Sequence, residues 1–102
     1  MTIVQPGQTL ELKAGASEIF RILWDAWAPD FRKESFIEIQ MSVAVLRGEG
    51  PTQMDPHSDK SKRHTDVLVS GGTQGGKYQV FCELKNRATK ETKAEWFKVR
   101  VI

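Results

Sequence analysis

Residues 70–78 read SGGTQGGKY, and whether they cradle a phosphate or turn the chain between two strands decides how everything around them folds. A phosphate-binding loop of the P-loop type needs G-x-x-x-x-G-K, then Ser or Thr, then a helix. The hydroxyl coordinates magnesium, and the helix N-terminus faces the phosphates. Gly71, Gly76 and Lys77 meet the spacing, but Tyr78 stands where the small hydroxyl residue belongs. The segment that follows, YQVFCELKN at 78–86, sets Tyr78, Val80, Cys82 and Leu84 against Gln79, Phe81, Glu83 and Lys85. That is mostly the period of two of a half-buried strand, not of a helix. The residues before the glycines, TDVLVS at 65–70, are also rich in β-branched types. Gly71, Gly72, Gly75 and Gly76 therefore read as a structural turn, a tight connection between antiparallel strands that exploits the freedom of glycine at positive φ.

Working outward, TLELK at 9–13 alternates and follows Pro6-Gly7, which predicts a short first strand. GASEIFRILWDAWAPD at 15–30 admits two readings. As a helix it has Ser17 as N-cap, a stripe of Ile19, Phe20, Leu23, Trp24 and Trp27, and Pro29 beyond its end. As a strand it puts Phe20, Ile22, Trp24 and Ala26 on one side. FIEIQMSVAVL at 36–46 is clearer: Ile37, Ile39, Met41, Val43 and Val45 share one face of a long strand, with Glu38, Gln40 and Ser42 opposite. Residues 47–64 hold Gly48, Gly50, Pro51, Pro56 and dense charge, which predicts a mobile charged loop. EWFKVRVI at 95–102 alternates again, with Phe97, Val99 and Val101 inward and Trp96, Lys98 and Arg100 outward. Several short strands and no convincing long helix predict an all-β fold: a single antiparallel sandwich over 1–102, with a flexible N-terminal segment and at most one short helix near 17–27.

The chemistry-bearing residues give no catalytic constellation. Cys82 is the sole cysteine, so the chain forms no internal disulfide, and its strand parity makes it a small buried apolar residue. His57 and His64 both fall in the predicted loop, a poor platform for a catalytic base or a zinc site. Asp25 with Asp30, and Asp55 with Asp59, sit near turns, where Asp is common for backbone reasons. Fifteen basic side chains against 13 acidic ones leave a net charge of +2 and no bulk argument for nucleic acid. From Lys77 onward, however, seven Lys or Arg face three Glu, so one end is locally basic. There is no apolar run near 18 residues and no export signal, which points to a chain made in a reducing cytoplasm. The sequence thus predicts a non-enzymatic binding module without cofactor, metal, membrane span or small-molecule substrate.

The stretch from Thr65 to Val101 resembles small bacteriophage fibre-tail adaptor proteins. In these a strand ending in Ser-Gly-Gly-Thr and a further Gly leads into a Tyr-initiated strand, a polar hairpin and a last strand of alternating Val and Arg. Ser70–Thr73, Gly75 or Gly76, Tyr78 and Phe97–Val101 carry that pattern, and ILWDAW at 22–27 is similar to the family's Trp-containing early strand. The long N-terminal MTIVQPGQTLELKAGAS and the charged segment 47–64 depart from it. The resemblance implies an immunoglobulin-like sandwich and tips 17–27 toward strand, at least in its second half. It also implies a virion protein, made in the host cytoplasm, that joins tail or neck to fibres or other phage structural proteins in multiple symmetric copies. Trp24, Trp27, Trp96, Lys98 and Arg100 are its candidate contact residues. The alternative is a carbohydrate- or host-surface-binding module using one of the tryptophans as a stacking platform.

Overall fold

The computed structural model describes residues 1–31 and 36–102. Eight strands run β1 (Thr2–Val4), β2 (Thr9–Leu12), β3 (Ser17–Leu23), β4 (Ile37–Arg47), β5 (Gln53–Asp59), β6 (His64–Ser70), β7 (Lys77–Asn86) and β8 (Thr92–Val101). One helical turn, α1 (Trp24–Trp27), lies between β3 and β4. They form two packed four-stranded sheets, ordered β1-β3-β6-β5 and β2-β8-β7-β4. This is the all-β sandwich that the alternation predicts. The orders β1-β3-β6-β5 and β8-β7-β4 match the two sheets of an immunoglobulin constant-type domain. β2 is an additional strand, and both N-terminal strands pair in parallel, β1 with β3 and β2 with β8.

The core lies where the inward rows meet. Phe20 and Ile22 of β3 and Val67 and Val69 of β6 face Tyr78, Val80, Cys82 and Leu84 of β7 and Phe97, Val99 and Val101 of β8, all at most 1% exposed. Phe97 packs T-shaped against two other rings, Phe20 at 6.0 Å and Trp27 at 6.2 Å between centroids, an arrangement aromatic pairs favour.

Four expectations need correction. The glycine stretch does not close a hairpin: β6 and β7 belong to different sheets, so residues 71–76 carry the chain across the sandwich. Gly71 and Gly72, at φ +90° and +104°, do so in very little space. A Cβ on Gly71 would lie 2.6 Å from the Thr52 nitrogen, and one on Gly72 2.8 Å from Val101 Cγ2. The far end of the crossover is held by Gly75 N–H donating to the Val101 carbonyl (2.8 Å) and Val101 N–H donating to that of Gly76 (2.9 Å).

Residues 17–27 divide the other way from the expectation. Their first part is strand, paired with β6 from Ser17↔Ser70 to Leu23↔His64, and their second part is the helical turn. Pro29 limits that turn to one hydrogen bond, from Ala28 N–H to the Trp24 carbonyl (2.8 Å). Positions three apart share a helix face, so the turn delivers both Trp24 and Trp27 into the core, at 1% and 0% exposure.

Segment 47–64 is not one charged loop. It contains β5, which forms a hairpin with β6 from Gln53↔Ser70 to Asp59↔His64. The Asp59 carboxylate stabilises the tip by accepting from the Ser61 hydroxyl (2.8 Å) and Lys62 N–H (3.1 Å), a common Asp turn device. β5 escapes the alternation rule because it is an edge strand whose only apolar member with a share in the core is Met54. Pro56 is tolerated there for the same reason. The N-terminal segment is likewise built into the sandwich. Val4 is fully buried, and Leu10 and Leu12 line the core.

Candidate functional site

The outer face of the β2-β8-β7-β4 sheet carries a hollow flanked by aromatic rings. Strand parity sends Gln79, Phe81 and Glu83 of β7 outward, and register sets Phe81 beside Trp96 of β8 and Ser42 of β4. Glu83 lies between Gln40 and Ala94 in the adjacent row. Two large rings next to the small Ser42 and Ala94 leave a hollow, a cavity of about 320 Å³ lined by these four, by the outward Gln40 and Glu83, and by Met41, Cys82 and Glu95 of the same strands. Phe81 is 42% exposed.

Trp96 faces outward, as its alternation with Phe97 predicts, but is half-buried there rather than fully exposed. Its carbonyl accepts from Gly7 N–H (2.7 Å), which anchors the strand beneath the indole. The Lys98 ammonium stands 5.2 Å from the indole centroid, within the range of a cation–π contact, and so orients the ring. Arg100 is further along the face and pairs with Glu11 of β2 at 3.0 Å. An aromatic wall beside an amide, a hydroxyl and a carboxylate can bury an apolar anchor while satisfying polar groups around it. That combination is typical of binding hot spots.

The other candidate residues lie elsewhere. Trp24 and Trp27 belong to the core, and their indole N–H groups are committed inside the fold: Trp24 Nε1 donates to Thr65 Oγ1 and Trp27 Nε1 to the Val4 carbonyl, both at 2.8 Å. Neither offers a surface for contact. Gly71, Gly72, Gly75 and Gly76 form the crossover, and Lys77 opens a strand, not a helix. His64 is buried near Asp66 (3.8 Å) on β6 rather than held in a solvated loop, while His57 is exposed on β5. Asp25 pairs with Arg63 at 3.1 Å and Asp55 accepts from Gln53 Nε2 at 2.6 Å. Burial pushes the Cys82 thiol up to about 12, which suppresses the reactive thiolate. Among the described residues no three His, Cys, Asp or Glu side chains group as metal ligands, and no helix is long and apolar enough to cross a membrane.

Two features escaped the sequence reading. Phe81 is an aromatic out of phase with its buried neighbours, a signal present in the sequence. The edge of β4, which no other strand covers among the described residues and where Val43, Val45 and Leu46 are 38%, 50% and 50% exposed, left no such signal, because alternation marks a face and not what covers it. No protein-family model matches the chain, and no curated protein is found to be similar to it.

Proposed function

We propose that this domain is a non-enzymatic structural protein of a bacteriophage virion, an adaptor joining tail or neck to fibres or other structural proteins. The surface it offers to its neighbour is the Trp96–Phe81 face. The resemblance of the Thr65–Val101 stretch to fibre-tail adaptors supports the setting. The observation that carries the mode of action is the pair of outward aromatics around the cavity, Phe81 exposed and Trp96 half-buried: outward rings beside a hollow on a small domain mark an interaction surface. The rest of that sheet holds the face rigid, so binding needs little reorganisation, and a rigid anchor keeps the entropic cost of association low.

Changing Trp96 to Ala tests the reading. The side chain lies outside the core, so the variant keeps its fold and melts close to the parent, while its affinity for the neighbouring virion protein falls by ~2 kcal/mol or more. Binding is read by calorimetry against structural proteins from purified particles of the phage that encodes the chain. Parent-like affinity, or absence of the chain from those particles by mass spectrometry, defeats the proposal.

A second reading draws on the same cavity. Gln40, Ser42 and Glu83 beside two aromatic rings also suit a saccharide, whose hydroxyls bond to amide and carboxylate while its C–H face stacks on a ring. Chemical-shift changes confined to this face on titrating host-surface oligosaccharides would select that reading over protein docking. A nucleic-acid contact from the basic C-terminal half would instead weaken steeply with added salt.

A further inference from the structure

The sandwich has four sheet edges, and three of them are protected against pairing with another chain. β1 and β2 are three and four residues long. β5 has Pro56 at its centre and Asp55, His57 and Asp59 along it. Short length, proline and charge are the usual means of blunting an edge. β4 is neither short nor broken by proline: it is eleven residues long, and its only charges, Glu38 and Arg47, lie near its two ends, so that Ile39 to Leu46 is free of charge and proline. Its inward row runs out from under the opposite sheet, from Ile37 at 0% exposure to Val43 at 38% and Val45 at 50%.

We infer that β4 pairs antiparallel with β4 of a second copy of this chain, about a two-fold axis through Ser42, so that the two β2-β8-β7-β4 sheets join into one of eight strands. The strand is self-complementary in that register. With Ser42 opposite Ser42, Met41 meets Val43, Gln40 meets Ala44 and Ile39 meets Val45, so inward residues face inward ones and the half-covered apolar row is matched on both sides of the axis. A slip of one residue would set that row against the polar face. Beyond Val45 the register of β4 shifts by one residue, which brings Arg47 to the side of the sheet that carries Glu38. Each end then sets Glu38 of one copy beside Arg47 of the other. Centring the axis on Met41 instead puts Glu38 against Ala44, and centring it on Val43 puts Arg47 against Gln40. Of the three, only the Ser42 register matches opposite charges. In the single chain Glu38 has a long, exposed contact with Arg87 at 3.5 Å, which leaves its carboxylate available to a second cation.

This contact runs along the β4 edge and does not rest on the adaptor role, although Gln40 and Ser42 also line the cavity beside the Trp96–Phe81 rings. Trp96 lies two strands in from the edge, and self-association needs no phage partner.

The test is made on the full chain. Sedimentation equilibrium shows the mass rising from monomer to dimer with concentration, and Val45→Lys, at an exposed position, raises the dissociation constant about tenfold or more, equivalent to ~1.4 kcal/mol. Glu38→Arg and Arg47→Glu each weaken the dimer, and the two together restore it. Ser42→Cys gives a disulfide-linked dimer on mild oxidation, since residues directly opposite on antiparallel strands lie within disulfide reach and Cys82 is buried. Gln40→Cys and Ala44→Cys chains cross-link only when mixed. A wild-type chain that stays monomeric, a dimer indifferent to Val45→Lys, or a Ser42→Cys chain that does not cross-link overturns the inference.

Discussion

Arg21 and Asp66 face each other across β3 and β6, and the guanidinium grips both carboxylate oxygens, from Nε at 2.7 Å and Nη2 at 2.9 Å. Two parallel charge-assisted bonds fix the relative rotation of the strands as well as adding attraction. The hydrogen bonds from Arg21 hold the Asp66 carboxyl below its ordinary value of 3.8. The folded form therefore binds that proton less readily than the unfolded chain. The stability this contributes is present in full above the ordinary carboxylate value, and it is lost as pH falls through the lower, folded one. Urea titrations of wild type and Asp66→Asn from neutral pH into acid should show a gap that narrows below the ordinary value. A gap that stays constant there would mean that the carboxylate contributes by shape alone. The neighbouring Thr65 has a different task, accepting from the Trp24 indole and sharing a 2.8 Å bond with the Ser58 hydroxyl. Three elements are thereby tied at one buried threonine.

At the scale of elements, β1 does more than its three residues imply. Val4 is fully buried and its carbonyl is the acceptor for the Trp27 indole. A chain lacking residues 1–5 should lose ~3–5 kcal/mol, the sum of one buried aliphatic side chain and one orphaned buried donor. Urea unfolding measures this, and a loss below about 1 kcal/mol would show that the segment is dispensable. This strand also shows what the sequence could convey. β7 and β8 were legible because each buries one whole face, so period two is written along them, and the same parity correctly put Trp96 outward. β5 was illegible because an edge strand with one half-buried residue needs no pattern. α1 was ambiguous because Phe20, Ile22 and Trp24 fit a strand's inward row while Phe20, Leu23, Trp24 and Trp27 fit a helical stripe, and only pairing with β6 settles where the strand stops. For the site, parity identified the ring that faces out. The hollow beside it depends on Ser42 and Ala94 arriving from two other strands, a matter of register between segments some fifty residues apart.

For the molecule as a whole, the parallel pairing of β2 with β8 has a mechanical consequence. Because the two strands run the same way, the chain enters β2 at one end of the ladder and leaves β8 at the other. Tension applied between residues 1 and 102 tries to slide Thr9–Leu12 past Lys98–Val101, so the rungs carry the load together and must fail together. The β5–β6 hairpin gripped at Gln53 and Ser70 would instead unzip rung by rung from its open end. Unfolding under force is governed by the barrier to opening, so single-molecule pulling should record a higher rupture force along 1–102 than along 53–70. Equal forces in the two directions would mean that the ladder is not the mechanical clamp. Built this way, the domain resists being stretched along its own chain and yields readily only when peeled from the side.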